Sequence, residues 1–182
     1  MDATLLLGHF TKTIDATYRT LHIPTVWRWL DELYADLNNK HLPSATQLAF
    51  FLGVFAGSAF ISNDNFQFQN ENLQNHSQNQ LAELWFKQAV AFLTKPPVPP
   101  STQALQTFMN LTHLSTQIEG TGGDFVFLST AGLQMAKSMR LHRLDVASSR
   151  AERRKHGDDM VELEVKRRIW WHMVASDWFV SR

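Results

Sequence analysis

The chain has 182 residues, enough for one domain or a large part of one, and a 44% hydrophobic, 12% aromatic composition supplies a sizeable core. Lys+Arg and Asp+Glu both number 17, which excludes coating of nucleic acid through bulk positive charge and excludes an acidic tail as the whole identity. With no cysteine, disulfides, thiol catalysis and thiolate zinc or iron–sulfur sites are excluded within these residues.

The N-terminus lacks the basic region of a secretory signal, and its apolar run stops at Gly8. The most apolar stretch, residues 48–61, is shorter than the roughly 20 residues that span a bilayer, so the chain reads as soluble with no membrane partner. Helical spacing dominates from the start. Leu6, Phe10, Ile14, Tyr18 and Leu21 form one face of a first helix; Pro24 ends it and suits the first turn of the next. Val26, Leu30, Leu33 and Leu37 stripe that second helix, which closes at Asn38-Asn39. Ser44 and Gln47 have capping-box spacing ahead of a helix apolar nearly all round, as expected of a central buried element. Gly53 and Gly57 lie one turn apart on it and predict close approach of a neighbouring backbone.

Residues 62–80 are rich in Asn and Gln, lack apolar density and read as a flexible insertion. Ser77 and Gln80 form a second capping box, opening a helix through Leu81, Leu84, Trp85, Ala89 and Phe92. A stiff proline-rich connector occupies 95–100. Leu105, Phe108, Met109, Leu111 and Ile118 mark another helix, broken at Gly120-Thr121-Gly122-Gly123; residues 125–141 form the next, with Leu128, Leu133, Met135, Ala136 and Met139 partly buried. Residues 143–159 read as a charged loop, and a last helix from about Met160 carries Ile169, Trp170, Met173, Val174 and Trp178. The predicted fold is all-α, an irregular bundle or array of about six or seven helices.

Catalytic and metal chemistry find little support. The eight histidines (His9, His22, His41, His76, His113, His142, His156 and His172) show no helical zinc-ligand spacing and read as scattered surface or packed residues, so no metal site is expected. No Gly-x-Ser-x-Gly elbow is present, and the glycine-rich 120–123 segment lacks the Lys-Ser/Thr of a phosphate loop. No catalytic residue and no enzyme are predicted. Two basic clusters, Arg150/Arg153/Arg154/Lys155 and Lys166/Arg167/Arg168, admit a nuclear-import or phosphate-contact reading. Interleaved acids favour a solvated surface instead, with Glu162–Lys166 and Glu164–Arg168 spaced for i,i+4 ion pairs of about 0.3–0.5 kcal/mol each. Trp170 and Trp171 point about 100° apart on a helix, which predicts one in the core and one on a flank.

The stretch from Leu133 to Arg143, followed by an acidic spacer and then by Glu164-Val165-Lys166-Arg167-Arg168-Ile169-Trp170-Trp171 and Asp177, resembles a known family. It is similar to the regulatory (middle homology) domain of fungal transcription factors, of the xylanolytic-activator kind usually attached to a six-cysteine binuclear zinc cluster. His142, Arg143, Glu164, Lys166, Arg167, Arg168, Trp170, Trp171 and Asp177 match the family pattern. Arg140 replaces a usual glycine, Gln134 a common arginine and Val126 a frequent tryptophan. The signature implies structural roles: arginines reaching carboxylates (Arg167 or Arg168 to Asp177 or to an acid within 162–164) and tryptophans fixing helix packing.

The resemblance covers nearly the whole chain and implies a partial regulatory domain over 1–182, truncated at both ends, in a nuclear protein. Zinc and DNA contact are implied only through a module not present here, so no cofactor is expected in this chain. Protein partners or a small-molecule inducer are the expected ligands, and a homodimer is admitted. The alternative reading is a stand-alone helical interaction or dimerisation fragment.

Overall fold

A computed structural model describes residues 2–62, 66–118, 120, 122–157 and 159–180, without the side chains of 152, 154–156, 179 and 180. The described residues form no strand, only an isolated bridge between Thr94 and Pro97, and the fold is all-α. No helix among them is long and apolar enough to cross a membrane. In chain order the helices are α1 (Asp2–Tyr18), α2 (Ile23–Asn38), α3 (Ala45–Ile61), α4 (Glu71–Gln74), α5 (Gln78–Thr94), α6 (Thr102–Ile118), α7 (Gly123–Ser138), a 3-10 turn (Leu141–Arg143), α8 (Ala147–His156) and α9 (Met160–Val180). Two compact units emerge, one of Met1–Arg19 and Ile23–Val98, the other of Thr20–His22 and Pro99–Arg182.

The first unit is organised around α3, which packs chiefly against α5 and α1. Its apolar circumference has a reason: Ala49, Phe50, Phe51, Val54, Ala56 and Ala59 are all buried, spread round the helix. Gly57 sits where a Cβ would come within 3.0 Å of Ile14 Cδ1 and 3.3 Å of the Phe10 ring, so the absent side chain lets α1 lie close. Ser44 caps α3 by accepting from Gln47 N–H at 3.1 Å. The second half of that box does not form, because Gln47 Nε2 donates instead to the Trp29 carbonyl of α2 at 3.3 Å. The Ser77–Gln80 box is complete in both directions. On α5 the inward positions are Leu81, Ala82, Trp85, Phe86, Ala89 and Leu93, whereas Leu84 and Phe92, assigned to the stripe from sequence, are exposed.

The Asn/Gln-rich stretch read as a flexible insertion is ordered over its described part; residues 63–65 lie outside the described residues. Phe68 is buried, Phe66 meets the His9 ring at 5.2 Å, and both Asp2 carboxylate oxygens accept backbone N–H groups, from Gln69 and Asn70. Two aromatic anchors suffice here, and the short polar side chains serve as caps: Asn70 starts α4 and Ser77 starts α5. The connector at 95–100 begins with a cis Lys95–Pro96 bond and buries Val98.

In the second unit α6 packs on α7, and α9 contacts both. Gly132 of α7 would place a Cβ 3.0 Å from Phe108 Cβ of α6 and 3.1 Å from Met173 Cε of α9, so three helices meet there without a side chain between. Gln106, buried on α6, donates to the Thr20 carbonyl at 2.9 Å. The segment 143–159, read as a loop, instead carries α8. Charge density misled: Ala, Glu, Arg and Lys are good helix formers, and Gly157, at φ +69°, ends the helix. Asp158 lies outside the described residues; Asp159 starts α9 by accepting from Val161 and Glu162 N–H.

α7 ends at a left-handed residue that is not glycine: Arg140 has φ +61°. This is the position where the family pattern carries glycine. A side chain in that conformation costs about 1–2 kcal/mol, partly offset by the greater unfolded-state freedom of glycine. Arg140→Gly is therefore expected to stabilise the chain by about 0.5–1 kcal/mol, read as a higher urea midpoint at unchanged slope.

Candidate functional site

The matched residues gather on and beside α9. Val165, Ile169 and Met173 recur every four residues and are buried, so this side of the helix faces inward. That rotation sets Glu164, Arg167 and Arg168 on the side of α9 away from the stripe, with Arg167 against the turn after the 3-10 element. Arg167 extends its planar guanidinium to Asp145 in that turn: Nε donates to Oδ2 and Nη2 to Oδ1, both at 2.9 Å. Its third nitrogen, Nη1, donates to Glu164 Oε2 at 2.5 Å, and Arg168 Nε donates to Glu164 Oε1 at 2.9 Å. Glu164 is thus shared by two arginines, and Arg167 by two carboxylates. Arg167 holds Asp145 below the usual carboxylate range; Arg167 and Arg168 do the same to Glu164, while the Arg167 guanidinium is raised. A two-pronged fork fixes orientation as well as distance, so Arg167 clamps the turn that leads into α8 onto α9.

Other matched residues take separate places. Lys166 bonds Glu162 at 2.7 Å, and Glu162 also accepts from Thr102 Oγ1 at the start of α6. His142 lies against Trp170, ring centroids 5.9 Å apart. Trp170 is half-buried and Trp171 is 61% exposed, so the two diverge, but neither sits in the core as their spacing suggested. Arg143 is exposed on the 3-10 turn. Asp177 does not serve the arginines: it is ten residues beyond Arg167, about 15 Å along the helix, out of side-chain reach. The carboxylate used in its place is Asp145. Of the other basic cluster, Arg150 and Arg153 add to the positive field around Asp145, while the side chains of Arg154 and Lys155 lie outside the described residues.

A second constellation was not legible from spacing. His113 of α6 and His172 of α9, 59 residues apart, point their Nε2 atoms at each other, one donating and one accepting, with ring centroids 4.6 Å apart at 72°. Burial, and then the neighbouring imidazole, push His113 down to about 4; burial lowers His172 as well. Beside the pair lies a narrow cleft of about 20 Å³, room for one water-sized particle. Among the described residues no group of three or more His, Cys, Asp or Glu converges as a metal cluster.

Against known families, the model of the fungal specific transcription factor domain matches residues 7–181. The chain belongs to this family. It is 30% identical over 181 residues to the agnestins biosynthesis cluster transcription factor AgnL11 of Paecilomyces divaricatus, covering 98% of this chain and 26% of that protein. It is 30% identical over 188 residues to the probable transcription factor lepB of Aspergillus flavus, covering 99% of this chain and 32% of that protein. Transcription factor TAS2 of Pyricularia oryzae is 24% identical over 186 residues, with 23% of its length covered. The chain thus spans about a quarter to a third of the relatives it matches. No solved structure matches it.

Within this fungal transcription factor domain the clamp has a measurable weight. Its side chains are about one-third to one-half exposed, so solvent screening limits each pair to about 0.2–1 kcal/mol. A double-mutant cycle between Asp145→Asn and Arg167→Ala is expected to give a coupling of about 1 kcal/mol, with Arg167→Lys recovering less than half because the fork is lost. A cycle between Arg167 and Asp177 should give none.

The imidazole pair adds a pH dependence of defined sign. Unfolded histidines titrate near 6.5, above the lowered folded values, so between about pH 4 and 6.5 the unfolded chain binds more protons. Stability is fully present above about pH 6.5 and falls as the pH drops through that window. The chain is expected to lose about 2 kcal/mol from His113 between pH 7.5 and 5.0, measured by urea unfolding, and His113→Gln should flatten the profile.

Proposed function

We propose that this domain is the regulatory part of a nuclear transcription factor, and that it biases the output of a DNA-reading module outside this chain. The observation that carries the reading is the match of one transcription-factor family model over residues 7–181, joined to a balanced charge that supplies no field for gripping phosphates. In this reading zinc belongs to the DNA-reading module: the present chain has no cysteine with which to hold a binuclear cluster. The relatives are named as transcription factors.

The clamp offers a device for regulation. Regulation requires two arrangements with a ligand that distinguishes them. A half-exposed Arg167–Asp145–Glu164 network holds the turn against α9 with about 1–2 kcal/mol, small enough for an inducer or protein partner to overcome. Supporting this is its position, since it joins the short turn that leads into α8 to the partly exposed side of α9.

Two measurements test the proposal. Purified alone, the chain is expected to show no sequence-selective DNA shift at physiological ionic strength. Placed between a heterologous DNA-binding domain and an activation domain in a fungal reporter strain, it is expected to change reporter output several-fold, and Arg167→Ala is expected to alter that change. Selective DNA binding by the chain, or reporter output identical with and without it, would overturn the reading.

A further inference from the structure

The first unit carries an open cleft of about 420 Å³, a volume typical of small-molecule sites, between the segment that follows α3 and the start of α5. Phe68, which is buried, and the half-buried Phe66 and Leu73 form its floor. The exposed side chains of Gln74, His76, Ser77 and Asn79 form its rim. A segment so poor in apolar residues gains little from burial, yet polar bonds hold it in a fixed concave shape. Gln74 Nε2 donates to the Phe68 carbonyl at 2.6 Å, Asp2 accepts from Gln69 and Asn70 N–H, and Phe66 stands edge-on to His9. A wall fixed in advance spares a ligand the cost of ordering it. We propose that this cleft binds an uncharged, polyhydroxylated ring compound of the sugar or cyclitol class.

The donors and acceptors at the rim select that chemistry. His76 Nδ1 lies 3.0 Å from the Asn72 carbonyl, which only accepts, so Nδ1 carries the proton and Nε2 of the neutral ring is an acceptor. Gln74 commits an amide N–H to Phe68 and retains Oε1 as an acceptor. Ser77 Oγ accepts from Gln80 N–H at 3.3 Å and keeps its hydroxyl proton to donate; Asn79 supplies an amide that does both. Hydroxyl groups, each donor and acceptor at once, match such a mixed rim, while the C–H face of a saturated ring suits the aromatic floor. Phosphate and carboxylate ligands are disfavoured, because residues 62–80 contain no lysine or arginine. Composition conceals the cleft, since the amides and serines that resemble a flexible tether are the groups that face a polar ligand.

The inference does not rest on the regulatory reading. Its test uses the whole chain, isotopically labelled for NMR and titrated separately with glucose, with myo-inositol and with the anionic sugar glucuronate. At least one neutral probe is expected to bind with a Kd of about 1 mM or tighter and to shift the side-chain amides of Gln74 and Asn79. The glucose and inositol arms distinguish a sugar from a cyclitol, and glucuronate is expected to bind roughly tenfold more weakly than the better of them. Asn79→Leu and Gln74→Met, similar in volume and at exposed positions, should each weaken binding about tenfold. Gln117→Leu, exposed on α6, should leave it unchanged. Retained amide dispersion in each variant shows that the fold survives. No shift with either neutral probe at about 50 mM, shifts centred away from the cleft, equal binding of glucuronate, or undiminished binding in both amide variants would overturn the proposal. Binding without any effect on the reporter supports the site and overturns the regulatory reading alone.

Discussion

Burial of Val165, Ile169 and Met173 along one side of α9 sets the rotation of that helix, and most of the chemistry of the second unit follows from it. At about 100° per residue, once those three face inward, Glu164, Arg167 and Arg168 lie roughly 100–160° round the helix from the middle of the stripe, and His172 beside the buried edge. The apolar stripe is worth about 1.5–3 kcal/mol for each fully buried side chain, more than any exposed ion pair. Packing therefore places the charges, and the charges refine a position already chosen. The same order of forces explains why Asp145 is the arginine partner: it lies on the turn that packing brings beside α9, while Asp177 is held about 15 Å along the helix.

The first unit rests on a different balance. Its central helix carries almost no polar side, and the two glycines one turn apart would each weaken an isolated helix by about 1 kcal/mol. At Gly57 that cost is offset by the contact of Phe10 and Ile14 with the bare backbone. Around this apolar centre the asparagines, glutamines and serines close helix ends. Asn70 and Ser77 satisfy N–H groups that would otherwise be left to water, and Asp2 does so for the backbone of Gln69 and Asn70.

Two polar constellations in the second unit differ in how they respond to solvent. The Arg167 network is partly wet, so it is cheap to break and sensitive to salt. The imidazole pair is part-buried, so its protonation state is shifted chiefly by burial and couples to stability over a physiologically accessible pH range. Between them they join α9 to the turn before α8 on one side and to α6 on the other.

Much of this was written in the chain itself. Helical spacing located most of the long helices, the Ser77–Gln80 box, the close approach at Gly57 and the i,i+4 pairs of Glu162–Lys166 and Glu164–Arg168, because each depends only on residues within a turn or two. The residues around α9 were also enough to indicate the family. Composition failed where polarity was equated with disorder: α8 is charged yet helical, and Phe68 anchors an amide-rich segment through one buried ring. Tertiary structure alone chose between Asp145 and Asp177 for Arg167, and it alone brought His113 to His172. Local spacing encodes which face of a helix is buried, but it carries no information on which distant face will be pressed against it; that is decided by the packing of whole helices.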